Sequence, residues 1–248
     1  MTTTAEWSEH LVARGLPRAS AEQLVLAALN RGALVEVGTA NTFDATPVDG
    51  QVPQTLVVEE VLRHLPSCLV ATAPLADVGT GIRETREVFA LVIAAAEREL
   101  LITSPYLDER GVMLLEAPLQ AAALRGVALR LLTRELAINE TRPSRELIGP
   151  RARAKGISTL ANWFGERFQV ADYYYTDGTH QVAALHAKII QADNTVGYVG
   201  SAEVREYALR VNFEMGYIFH ASDAAACRAT FEAIWAAAVL RAPTDLLR

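Results

Sequence analysis

Residues 182–201 constrain the fold more than any other segment of the chain. Apolar and β-branched side chains dominate 182–191 and again 195–199, with Asp193-Asn194 between them as a turn pair. The pattern predicts a strand, a tight turn and a returning strand. Period-two alternation places His186, Lys188 and Ile190 on one strand face and Ala187 and Ile189 on the other. The returning strand then delivers Gly200 and Ser201 beside the histidine and the lysine. Of the 23 basic residues only Lys155 and Lys188 are lysines. Arginine serves nearly everywhere else, so a lysine at 188 is a specific chemical choice rather than generic surface charge.

The surrounding pattern alternates strands and helices. Strands are predicted at 68–73, 99–106, 127–133, 168–176, 182–191, 195–199 and 214–219, and helices at 85–98, 112–124 and 223–240. Gly126 ends the second of these helices and Ser222 caps the last. Strand, helix, strand in this order implies right-handed crossovers and a parallel or mixed sheet, an α/β fold. Residues 1–66 read differently, as a small helical N-terminal extension. One helix starts at Ser20 and ends near Gly32, a second covers 54–65, and the Thr-, Asp-, Gly- and Pro-rich stretch 38–53 is a loop. The expected division is therefore 1–66 as the extension and 67–248 as the main domain.

Composition excludes several function classes. With 248 residues, 51% of them hydrophobic, the chain can bury a sizeable core. No apolar run reaches the roughly 18 residues of a membrane span, and the N-terminus lacks the basic flank and apolar run of a signal peptide. A cytoplasmic protein with no membrane partner is expected. Cys68 and Cys227 have no metal-ligand spacing and read as small hydrophobes. The net charge of −6 gives no overall basic field for DNA, so nucleic-acid contact requires a local patch. The one candidate is the stretch 141–163 with the residues that follow it. It holds Arg142, Arg145, Arg151, Arg153 and Lys155, followed by Trp163, Phe164 and Phe168. Two readings are open: a track that follows phosphates and stacks bases, or a solvated helix face followed by ordinary core aromatics.

The residue types at 186–205 suit phosphoryl chemistry. A neutral imidazole attacks phosphorus, and nearby cations stabilise the charge on its oxygens. Lys188 supplies a point charge, Gly200 allows close backbone approach, and Ser201 adds a hydroxyl donor. The leaving oxygen needs a general acid, and the nucleophile needs a carboxylate on its far nitrogen.

His186-x-Lys188-x4-Asp193-x6-Gly200-Ser201 resembles the signature of the phospholipase D superfamily, which ends in Gly-Ser-x-Asn; five of the six signature residues match in spacing. The resemblance implies a phospholipase-D-like mixed sheet flanked by helices. It assigns His186, Lys188, Asp193 and Ser201 to catalysis, and Glu214, 28 residues after His186, to orienting the nucleophile. It also places Ser104-Pro-Tyr106 and Leu132-Thr-Arg134 in loops around the pocket. Metal and other cofactors are not required, because paired lysines and hydroxyls stabilise the charge. Glu203 stands where the family has Asn. An ionised carboxylate only accepts hydrogen bonds and repels an anion, though Arg205 could compensate. Three outcomes are open: Glu203 turns away, takes a changed role, or lowers activity.

None of the other histidines, His10, His64, His180 and His220, is followed by the x-Lys pattern, and the resemblance implies that the chemistry needs two facing histidines, so one chain would carry half a site. The resemblance to single-signature bacterial nucleases therefore implies a homodimer sharing one active site. Length, motif and layout further resemble the phospholipase-D-like component of DISARM phage-defence systems. That implies a nuclease acting on DNA alongside other defence proteins, with Gly200, Glu203, Arg205, Arg151 and Arg153 as substrate-binding residues. The other reading is an accessory nucleic-acid-binding subunit that turns over poorly.

Overall fold

The computed structural model describes residues 2–19, 21–22, 25–26, 35–36, 42–44, 67–74, 82–136, 148–178 and 180–245. The N-terminal residues hold β1 (Thr2–Thr3), α1 (Thr4–Ala13), β2 (Val35–Glu36) and β3 (Thr42–Asp44). Next come β4 (Leu69–Thr72), β5 (Arg83–Glu84), α2 (Thr85–Ala95) and β6 (Glu99–Thr103). Then follow α3 (Glu109–Leu114), α4 (Glu116–Leu124), β7 (Ala128–Thr133), α5 (Ile148–Phe164) and β8 (Phe168–Asp172). β9 (Tyr174–Asp177) and β10 (His180–Ala184) precede β11 (Ile189–Ala192) and β12 (Val196–Gly200). The chain closes with α6 (Glu206–Arg210), β13 (Glu214–His220), α7 (Ala221–Ala237) and β14 (Val239–Arg241).

Nine strands form one mixed sheet in the order β14-β8-β7-β6-β11-β12-β13-β4-β5. β6, β7 and β8 run parallel, as the helical crossovers between them require. β11 lies antiparallel between β6 and β12, and β12 and β13 pair antiparallel in turn.

Helices cover both faces of the sheet. Leu100, Ile102, Leu129, Leu131, Val170, Ile190 and Tyr198 face the larger core with α2, α4 and α5. Leu101, Leu132 and Ala171, the residues next to them in sequence, face α7 through Phe231. Alternation along each strand thus divides two cores, as a pleated strand dictates. α2 is buried from Thr85 to Ala95 apart from its first-turn charges, and is broader in its apolar surface than the one-sided face at Val88, Phe89, Val92 and Ile93. That suits a helix lying centrally across the sheet. Trp7, Leu11, Leu16, Ala21 and Val25 of the N-terminal region belong to the same larger core. No helix among the described residues is long and apolar enough to cross a membrane.

Several elements differ from the sequence pattern. The helix expected at 112–124 is two helices, broken at Leu115. Pro118 explains the break: proline fits the first turn of a new helix, where its missing N–H costs nothing, but not the interior of an old one. The strand expected at 168–176 divides at Tyr173, and the one expected at 182–191 divides at 185–188. The last helix starts at Ala221 with His220 in the cap position rather than at a Ser222 cap, and it ends early enough to leave β14 as an edge strand. The N-terminal region contains β1, β2 and β3 as well as helix. Most of the helices expected at 20–32 and 54–65, and most of the loop at 38–53, lie outside the described residues.

Asp193 corrects a functional expectation. It sits at the turn between β11 and β12 with φ 48°, in the left-handed region that aspartate tolerates. Its carboxylate accepts hydrogen bonds from the backbone amides of Glu97 (3.0 Å), Arg98 (3.1 Å) and Glu99 (2.9 Å). The signature aspartate is therefore a structural tie, not a catalytic group. Five residues of extended chain, about 16 Å, separate it from Lys188. Replacing it with alanine leaves three amides without an acceptor. Asp193→Ala is expected to cost about 3 kcal/mol, read as a lower urea midpoint, with Asp193→Asn less affected.

Candidate active site

The site lies along one edge of the sheet. The carboxyl ends of β6, β7 and β8, the approach to β11, the exit from β12 and the start of β13 all meet there. His186 and Lys188 occupy the irregular stretch before β11. Three contacts hold this stretch: Leu185 N–H donates to Tyr173 O (2.9 Å), Thr103 Oγ1 donates to Ala187 O (3.1 Å), and Gly200 N–H donates to Lys188 O (3.2 Å). Lys188 thereby keeps the β12 side of the ladder, and His186, two residues before it, falls on the same face.

His186 is exposed, whereas Lys188 is only 9% exposed. Lys188 Nζ lies 3.0 Å from His186 Nδ1 and 2.7 Å from the carbonyl oxygen of the same residue. An ammonium has donors only, so Nδ1 accepts. The neutral ring then carries its proton on Nε2. Attack by Nε2 requires that proton to move to Nδ1, and therefore requires Lys188 to turn away from the ring.

Gly200 and Ser201 sit beside this pair, but for different reasons. A β-carbon on Gly200 would meet the Tyr198 hydroxyl and lie 2.6 Å from Gly216 Cα. Gly200 is thus required by the Tyr198 ring lying over a facing pair of glycines. Burial pushes the Tyr198 phenol up to about 12, and its oxygen accepts from Ala202 N–H at 3.3 Å. Ser201 Oγ donates to Glu214 Oε2 at 2.5 Å and accepts from Met215 N–H at 3.1 Å.

Glu214 is placed next to the site but not as expected. Its second oxygen accepts from Asn212 Nδ2 at 3.2 Å. Among the described residues no hydrogen bond joins it to His186, whose Nδ1 is held by Lys188 instead.

Glu203 does not turn away. Its side chain is 12% exposed, with Oε1 3.7 Å from Lys188 Nζ and Oε2 3.8 Å from Arg205 Nη1. Burial pushes its carboxyl above the usual carboxylate range; Lys188 and Arg205 pull it back, and Glu214 pushes it up. Arg205 is held from behind by Asp108, Nε to Oδ2 at 3.6 Å.

Asp108 is a residue that sequence reasoning missed. It caps α3 through Gly111 N–H (2.7 Å) and also accepts from Glu206 N–H (3.2 Å), tying the 203–206 loop to the start of α3. Its aspartate-before-helix position signals the cap; the partner far along the chain leaves no local trace. The loops at 104–106 and 134 do line the site. The Arg134 guanidinium lies 5.3 Å from the centre of the Tyr106 ring and 5.5 Å from that of Tyr174. Ser104 Oγ accepts from Val204 N–H at 3.2 Å.

Arg153 is not a substrate contact. It is 1% exposed, donates to the carbonyl oxygens of Arg134 and Pro105, and lies 5.2 Å from the Tyr106 ring centre. Burial lowers its pKa. On α5 it shares the apolar face with Ile157, Leu160 and Phe164, at spacings of four, three and four, so it points inward. Arg151 and Lys155 lie on the exposed face. Arg142 and Arg145 lie outside the described residues. Trp163 and Phe164 pack on the core rather than offering a stacking platform.

A family model described as "Cardiolipin synthase, PLD-like domain" matches residues 90–235. The chain belongs to this phospholipase-D-like family. The match spans β6 to β13 and so contains the whole site. The cardiolipin synthase A of Pseudomonas syringae pv. syringae (strain B728a) is 31% identical over 158 residues, covering 63% of this chain and 28% of that protein. The chain thus spans less than a third of that curated relative's length. The crystal structure of phosphatidylserine synthase from Haemophilus influenzae Rd KW20 superposes with a TM-score of 0.55 at 12% identity, over 93% of this chain and 49% of that one. The phospholipase D family member Nuc from Salmonella typhimurium gives a TM-score of 0.48 at 15% identity, over 71% of this chain and 99% of that one. The mixed sheet flanked by helices is the phospholipase-D-like fold.

The inward and outward arginines of α5 give a direct test. Arg153→Ala is expected to destabilise the phospholipase-D-like domain by about 3 kcal/mol, whereas Arg151→Ala stays within about 0.5 kcal/mol. Thermal melts of the two variants check this.

Proposed function

We propose that the chain is a metal-independent phosphodiesterase that works through a phosphohistidine on His186. The observation that carries this is the exposed His186 ring held 3.0 Å from the buried Lys188 ammonium. An incoming phosphodiester attracts Lys188 from the ring onto its own oxygens, and the ring proton shifts to Nδ1. The Nε2 lone pair then forms the N–P bond as the P–O bond to the leaving group breaks. A general acid protonates the leaving oxygen, and water subsequently cleaves the phosphohistidine. Glu214 becomes the acceptor for the Nδ1 proton if its carboxylate exchanges Ser201 for the ring.

The general acid is proposed to be His186 of a second copy. One surface supports a homodimer. α7 leaves part of its sheet face uncovered, where Val199, Met215, Tyr217 and Leu69 are exposed side by side across β12, β13 and β4. Phe213, 68% exposed, extends the patch next to Glu214. An apolar surface adjoining half a site fits a second copy of the same chain better than solvent.

DNA is the proposed substrate, with Arg151 and Lys155 as its exposed basic contacts and a cytoplasmic location; the phage-defence role rests on the sequence resemblance alone. A second reading, transfer or hydrolysis at a phospholipid headgroup, is favoured by the relatives named as cardiolipin synthases.

Purified chain is incubated in EDTA with labelled single- and double-stranded DNA, and separately with anionic phospholipid vesicles. Cleavage of DNA alone, at a rate reduced about a thousandfold or more in His186→Ala, is the expected result. Equal products from both proteins would sink the phosphohistidine reading, and headgroup release without DNA cleavage would select the lipid reading. For the dimer, light scattering on Tyr217→Asp is expected to show half the mass of the unsubstituted chain, with loss of turnover. An active monomer would overturn it.

A further inference from the structure

The Glu203 carboxylate occupies a place that the chemistry reserves for something else. Its two oxygens each face one cation, Lys188 at 3.7 Å and Arg205 at 3.8 Å. Two oxygens on one centre, each directed at a separate cation, is also how the two non-bridging oxygens of a phosphodiester would sit. Both contacts are longer than a hydrogen-bonded ion pair, so the carboxylate is a loose counter-ion rather than a locked one. The charges around it are otherwise arranged to hold an anion. Lys188 comes from the approach to β11 and Arg205 from the loop after β12. Arg205 is itself positioned by Asp108 before α3 and lies 6.0 Å from the Tyr106 ring centre. Glu214, at the start of β13, is the other carboxylate facing the group.

An ionised Glu203 and a phosphodiester anion cannot share this pair of cations without strong repulsion, since Glu203 and Lys188 are both largely buried. A protonated Glu203 removes the conflict. Its O–H becomes a donor, and both cations become available to the phosphate. We infer that Glu203 is a proton-coupled positioning residue, taking up one solvent proton when a phosphodiester binds between Lys188 and Arg205 and then donating its O–H to a phosphate oxygen. The inference rests on the phosphodiesterase reading above.

The consequence is a pH dependence with a definite sign. Burial extends the neutral form of Glu203 to higher pH than an ordinary glutamate. Phosphodiester binding is strong where that form is populated and weakens as pH rises above the raised value. There, each pH unit reduces affinity about tenfold.

The test uses the full chain carrying His186→Ala, so that no turnover occurs, and bis(p-nitrophenyl) phosphate, a diester already ionised throughout the range. Titration calorimetry is run between pH 6 and pH 9 in buffers of different ionisation enthalpy. The expected result is uptake approaching one proton per site, with affinity falling as pH rises. Adding Glu203→Gln abolishes the uptake and makes binding pH-independent and tighter at pH 9. Adding Glu214→Gln instead leaves the uptake in place. Uptake unchanged by Glu203→Gln, pH-independent binding in both proteins, or loss of binding in Glu203→Gln at an unchanged melting temperature would overturn the inference while leaving the phosphodiesterase reading standing. Absence of diester binding at every pH in both proteins would overturn both.

Discussion

The carboxylate of Asp193 grips three successive backbone amides at the start of β6. That grip joins the turn of the β11–β12 hairpin to the first of the parallel strands. It sets the register in which Ile189 lies opposite Thr103 on one side and Val199 on the other. A slip of one residue would reverse every side chain on β11 between the two cores. The same register brings the segment before β11 level with the carboxyl ends of β6 and β7. The site edge is therefore fixed from the opposite end of the sheet, by a residue that takes no part in the chemistry.

Around the site, charge is balanced rather than concentrated. Lys188 and Arg205 are matched by Glu203 and Asp108, while Glu214 is engaged with Ser201 and Asn212. Arg134 lies between two tyrosine rings, and Arg153 braces the loops beneath them. Basic groups that look alike in sequence thus do different work: a buried cation on the histidine ring at 188, a stacked one at 134, a buried brace at 153 and an exposed one at 151. Apolar burial decides among them, since a guanidinium directed into a core must spend its donors on carbonyls.

Much of the fold was legible because it rests on local periodicity. The parallel strands, α2, the hairpin turn at Asp193-Asn194 and the returning strand all follow from alternation, turn chemistry and helix length. The interruption at 185–188 was not legible. The segment is held by contacts to Tyr173, Thr103 and Gly200 that no local pattern encodes. The two-helix division at Leu115 could have been read from Pro118. The inward face of Arg153 could have been read from the apolar residues at helical spacing around it. The edge strand β14 is three residues long, too short for any period to show.

By itself, the sequence determined which chemical groups this protein brings to its site and roughly which strands carry them. Spacing along a chain with period-two geometry is enough to place a histidine, a lysine and a serine together. Tertiary structure alone decided what each group does there. It turned the signature aspartate into a tie for β6, assigned Gly200 to the Tyr198 ring, and paired Glu214 with Ser201. It also directed Glu203 between two cations. These outcomes depend on partners remote in sequence and on how deeply each group is buried, and neither quantity exists until the sheet and its helices have assembled.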